Sequence, residues 1–136
     1  MKKIIVIDGQ GGKIGSLLIE KLKAQHPAQE ITALGTNVLA TAAMLKAGAN
    51  FGATGENPVI VGSRTADIIV GPLGILAADS LLGEITPKMA VAIGQSAAQK
   101  ILLPVNKCNH YVVGMPDRSF PEIIELAVRH ISALLQ

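Results

Sequence analysis

KIIVIDGQGGKIGSLLIEKLKA, residues 3–24, decides the fold of this chain. Ile4 to Asp8 read as a strand that runs straight into a glycine-rich turn. Gly9, Gly12 and Gly15 fall three apart, and Gly11 adds a fourth glycine inside the turn, beside Gln10. Such a turn bends tightly and leaves amide N–H groups uncovered at a helix N-terminus, where an anion is favoured. The helix that follows places Ile14, Leu17, Leu18 and Leu22 on one face, with Lys13, Glu20, Lys21 and Lys23 elsewhere. Pro27 stops it.

The same alternation continues along the chain. Residues 30–35 (EITALG) read as a second strand, and Thr36 or Asn37 caps a second helix carrying Val38, Leu39, Ala42 and Leu45. Residues 49–58 read as a polar glycine-rich loop, and Val59 to Val61 as a short third strand. Ala66 to Val70 is a further strand closed by Gly71-Pro72, and residues 73–83 fit a short helix. Thr86-Pro87 starts a helix that extends to about Gln99 and buries Met89, Ile93 and Ala97. Ile101 to Val105 and Tyr111 to Gly114 read as two more strands. Ser119 to Glu122 form a capping box for a last helix with Ile123, Ile124, Ala127, Val128, Ile131, Leu134 and Leu135 inward. Strands alternating with helices define an α/β domain of three layers, a doubly wound, mainly parallel, Rossmann-like sheet. The whole of residues 1–136 is read as one nucleotide-binding domain.

Composition narrows the partners. Net charge is +2 and the bases are scattered; with two Phe, one Tyr and no Trp, no basic or stacking surface for nucleic acid emerges. The most apolar stretch, Ile68 to Ala78, is too short for a bilayer and is broken by Gly71, Pro72 and Gly74. A single cysteine sets no oxidising compartment, and the expected location is cytoplasmic. The chain is 49% hydrophobic, more than so small a domain easily hides, which predicts an apolar patch covered by homo-oligomer formation.

In a doubly wound sheet, ligands bind beyond the carboxyl ends of the strands. This chain places Gly9 to Gly15, Thr36 and Asn37, Gly71 to Gly74, and Asn106 to His110 at such ends. The expected ligand-binding set is therefore Asp8, Gly9, Gln10, Gly11, Gly12, Lys13, Ile14, Gly15, Thr36, Asn37, Gly71, Pro72, Gly74 and Asn106. A P-loop is excluded: Gly12-Lys13 is followed by Ile14, without the Ser or Thr that holds Mg²⁺. Asp8 would repel a pyrophosphate unless it were paired, turned away or bridged by a metal. The second strand ends in Gly35-Thr36-Asn37, without the acidic residue that holds a ribose hydroxyl. That favours NADP slightly over NAD and leaves coenzyme A or a mononucleotide open.

For catalysis, Glu56 and Glu84 are the loop carboxylates free to act as acid or base. Cys108 lies one residue from Lys107 and two from His110, a setting that favours the thiolate of a nucleophile or redox sensor. In an extended stretch their Cα atoms stand about 7 Å apart, so a contact depends on rotamers. His26 and His130 sit far off in sequence, and no zinc-ligand spacing results.

The Gly9-x-x-Gly12-x-x-Gly15 spacing resembles that of extended short-chain dehydrogenases, over about 30 residues. The Tyr-x-x-x-Lys pair of those enzymes is missing, because Met115 stands four residues after Tyr111. Nearly end to end, the segments IDGQGG, ALGTN, GATGEN, ADIIVGPLGI, GEITPKMA, KILLPVNKCN and VVG resemble an uncharacterised bacterial family catalogued as a domain of unknown function. That resemblance implies a bacterial cytoplasmic protein and brings no assigned activity. Three readings follow: a nucleotide-binding sensor or accessory module, a small enzyme on a phosphorylated or CoA-linked substrate, or a structural partner-binding domain with an empty turn.

Overall fold

The computed structural model describes residues 1–105 and 109–136. Five strands, β1 (Ile4–Asp8), β2 (Ile31–Gly35), β3 (Phe51–Thr54), β4 (Ile68–Pro72) and β5 (Gln99–Leu103), form one sheet in the order β3-β2-β1-β4-β5. Every pairing is parallel. β1 and β4 are central and buried at every position, as Ile- and Val-rich strands must be when both faces are covered. Alternate residues feed two cores. Ile4, Val6, Ile68 and Val70 pack under α1 (Lys13–Gln25), α2 (Val38–Lys46) and α5 (Phe120–Leu134). Ile5, Ile7 and Ile69 pack under α3 (Glu56–Thr65) and α4 (Pro87–Gln95). The chain thus winds outward from β1 to β3, crosses beneath the sheet and resumes at β4. The switch between β1 and β4 leaves a crevice at their carboxyl ends.

Several expectations need correction. Val59 to Val61 belong to α3, and the third strand is Phe51–Thr54, inside the stretch expected as loop. An edge strand pairs on one side only and needs no apolar alternation, so FGAT carries little signal. Pro58 falls in the first turn of α3, where its missing N–H costs nothing. Residues 73–83 contain only a single 3-10 turn, Leu73–Leu76, before a run of turns. The α4 helix ends at Gln95, because the Ser96 hydroxyl donates to the Ser63 carbonyl (2.6 Å) and accepts from the Ala98 amide (3.1 Å). Ala97 is therefore exposed and Ala98 is buried in its place, and β5 begins at Gln99 rather than Ile101. Tyr111 to Gly114 form no strand, and Tyr111 and Val113 are exposed.

On α2 the buried residues are Ala40, Thr41 and Met44, while Val38, Leu39, Ala42 and Leu45 face outward. The Asn37 cap sets that rotation: its side chain accepts from the Ala40 amide at 2.9 Å. Small residues at Gly12 and Gly15 then let α2 lie close against α1. Ser119 caps α5 through the Glu122 amide (3.3 Å), and the Glu122 carboxylate takes the Ser119 hydroxyl (3.1 Å), so only half of the expected box forms. Among the described residues no helix is long and apolar enough to cross a membrane.

Candidate functional site

Where β1 ends, Gly12 adopts φ +73° and turns the chain into α1. Most amides of the turn already have partners. Asp8, only 3% exposed, accepts from its neighbour Gly9 at 2.8 Å and from Gly15 at 2.7 Å. Gly12 N–H donates to the Gly9 carbonyl at 2.9 Å. Gln10 N–H donates to Glu84 Oε1 at 2.7 Å. Among the described residues, Gly11 and Lys13 are left with amides that no protein atom accepts from. Both residues are exposed and sit at the start of α1, where the first N–H groups lack intrahelical partners, so these two amides are free to donate to an acceptor in the neighbouring cleft.

A cleft of about 440 Å³ lies against them. Asp8 to Ile14 form one wall, and Leu81, Val105 and Phe120 form the other. The Lys13 ammonium stands 5.7 Å from the centre of the Phe120 ring, and both residues line the same cleft. The positive end of α1 and the Lys13 charge both favour an anion here.

Asp8 shapes the electrostatics from below. Burial pushes its carboxyl above the usual carboxylate range. The amides of Gly15, Gly9 and Ile14 pull it back down, and the nearby Glu84 charge adds a smaller upward push. The carboxyl that threatened to repel a phosphate is thus turned inward onto the first turn of α1.

The other expected residues are distributed unevenly. Thr36 and Asn37 reach the turn, but toward its far side: Asn37 Nδ2 donates to the Gln10 carbonyl at 2.9 Å and to Glu84 Oε2 at 2.8 Å. Thr36 Oγ1 donates to Glu84 Oε1 at 3.1 Å. Gly15 packs against Met44 rather than facing the cleft. Gly71, Pro72 and Gly74 are buried and do not line it: a side chain at Gly71 would meet the Ile7 carbonyl at 2.5 Å, and Gly74 accepts from the Ser80 hydroxyl. Neither loop carboxylate is a loose solvated charge. Glu84 is the clasp just described, and Glu56 opens α3 and accepts from the Thr86 hydroxyl, tying α3 to the start of α4. Asn106 and Cys108 lie outside the described residues. Leu81, Val105 and Phe120 come to the cleft from positions that no ligand-binding motif marks. Among the described residues no three His, Cys, Asp or Glu side chains gather as metal ligands.

The strand order, the all-parallel pairing and a glycine turn opening α1 define an α/β protein of Rossmann-like architecture. The family described as "Domain of unknown function (DUF3842)" matches residues 3–136, and the chain belongs to that family. No curated protein matches the sequence. Among solved structures, it is similar to a dodecameric FMN-dependent Ubix-like decarboxylase from Escherichia coli O157:H7. That likeness has a TM-score of 0.48 and 15% identity, over 99% of this chain and 94% of the other.

Proposed function

We propose that this protein binds a small phosphate-bearing ligand, of mononucleotide size, in the cleft between the glycine turn and Phe120. The observation that carries the reading is the pair of unpartnered amides, Gly11 and Lys13, in residues that line a 440 Å³ cleft, with the Lys13 ammonium near Phe120 of the same cleft. A cleft of that volume falls in the range of small-molecule sites, roughly 300–1,000 Å³. The phosphate accepts from the two amides, and the apolar Leu81, Val105 and Phe120 flank the remainder. A mononucleotide is favoured over NAD, NADP or coenzyme A because the donors at the end of β2 already hold Glu84. Binding, as a sensor or accessory module, is the role this arrangement supports. Glu56 and Glu84 are both engaged in holding elements together, which weakens the case for either as a free acid or base.

Calorimetric titration with AMP, FMN, NAD and NADP tests the reading. The mononucleotides should bind, and more tightly than the dinucleotides. A Cβ added at Gly11 would meet nothing within 4 Å, so Gly11→Val should change the melting temperature little. Added bulk beside the Gly11 amide should weaken binding by about tenfold or more. No heat with any of the four ligands, or undiminished binding by Gly11→Val, would contradict the proposal.

A further inference from the structure

Glu84 reaches its position from the loop between β4 and α4 and ends on three donors from two other strand exits. Gln10 N–H and Thr36 Oγ1 serve one oxygen, and Asn37 Nδ2 the other. Among the described residues no cation pairs with it. A carboxylate held by converging neutral donors, at the ligand-binding edge of a parallel sheet, occupies a site built for an anion. Gly9 leaves the room: a side chain there would stand 2.5 Å from Glu84 Oε1.

We infer that the donor set of Gln10, Thr36 and Asn37 is a second anion subsite, held shut by Glu84, which takes the second phosphoryl group of a diphosphate ligand. The inference rests on the reading of the Gly11–Lys13 amides as the first phosphate position. Gln10 and Gly11 are consecutive residues of the turn, and both line the cleft. The donors are set in advance. Asn37 is fixed by its cap bond to the Ala40 amide and its bond to the Gln10 carbonyl, and neither depends on Glu84. The clasp itself rides on a turn with unusual backbone geometry. Asp79, Leu81 and Leu82 take left-handed backbone angles of 66°, 55° and 57°, which side-chain-bearing residues disfavour. Leu81 of that turn also lines the cleft, so filling the cleft and moving Glu84 are mechanically linked. Release relieves the repulsion between Glu84 and Asp8 as well.

The test titrates inorganic phosphate, inorganic pyrophosphate, AMP and ADP into the wild-type protein, Glu84→Ala and Glu84→Gln. Removing the clasp should tighten pyrophosphate by about tenfold while orthophosphate changes by less than about threefold, the part owed to losing a nearby charge. Glu84→Gln keeps the side chain's shape and should give an intermediate gain. Adding Thr36→Val to Glu84→Ala should cancel most of it. A gain for ADP beyond that for pyrophosphate identifies a nucleoside diphosphate as the ligand class, and equal gains identify the bare diphosphate. Equal tightening of phosphate and pyrophosphate, or none, overturns the second subsite. If wild-type protein binds neither phosphate nor AMP, the first position fails, and the second fails with it.

Discussion

Gly12→Ala is expected to lower the stability of this protein by roughly 2–5 kcal/mol. Two costs combine. At φ +73° an L side chain pushes its Cβ toward the following carbonyl, a strain of about 1–2 kcal/mol. The new methyl would also lie 2.9 Å from both the Cα and the carbonyl oxygen of Ala40. Those are backbone atoms of α2, so relief requires moving a helix that Met44 and Asn37 hold in place, an overpacking cost of about 1–3 kcal/mol. Urea denaturation reads the loss directly as a lower midpoint at constant slope. A midpoint within experimental error of wild type would mean that the turn and α2 do not meet as described.

Asp8 should make anion affinity fall as pH rises. Sulfate suits the measurement because its charge stays fixed across the range where Asp8 titrates. The folded protein holds the Asp8 proton more tightly than an unfolded chain does, because burial disfavours the carboxylate. Two signs follow. Asp8 contributes most to stability below its ordinary value, and that contribution is lost as pH rises through the raised midpoint. Sulfate in the cleft sees a neutral Asp8 below that midpoint and a like charge above it. Affinity should therefore be highest at low pH, decline through the midpoint and level off once Asp8 is ionised. Each tenfold of decline corresponds to about one unit by which bound sulfate raises the Asp8 midpoint. A dianion close to a buried carboxylate makes a total of roughly a hundredfold reasonable. Calorimetry at a series of pH values checks it. Asp8→Asn should flatten the profile, and an unchanged slope in that variant would assign the dependence to another group.

The sequence and the structure agree best where the signal is local. Ile4 to Asp8, the glycine turn and the apolar face of α1 are contiguous, and their periodicity and spacing suffice to define a βαβ start. The inward face of α5 was equally plain, since Ile123, Ile124, Ala127, Val128 and Ile131 repeat at helical spacing. Legibility fails where a neighbour decides. Val38, Leu39 and Leu45 look like a core face until the Asn37 cap and the glycines of α1 turn α2 onto Ala40 and Met44. Phe51 to Thr54 become a strand only because β2 offers an open edge in register, Thr32 opposite Phe51.

The site divides in the same way. The turn was visible, but its amides are not all free, because Asp8 and Glu84 occupy most of what the spacing promised. In the sequence Glu84 reads as a free loop carboxylate, and only the fold brings it 74 positions back along the chain to Gln10. Phe120 stood in the sequence merely as a member of a helix cap; its nearness to Lys13 arises from α5 packing beside α1.

The most direct test of the central claim is the amide spectrum of the ¹⁵N-labelled protein during titration with AMP. The Gly11 and Lys13 amides should shift downfield in a saturable way as they begin donating to phosphate. Gly9 and Gly15, already committed to Asp8, should move far less. Saturable shifts confined to other parts of the molecule, or none at all, would contradict the account.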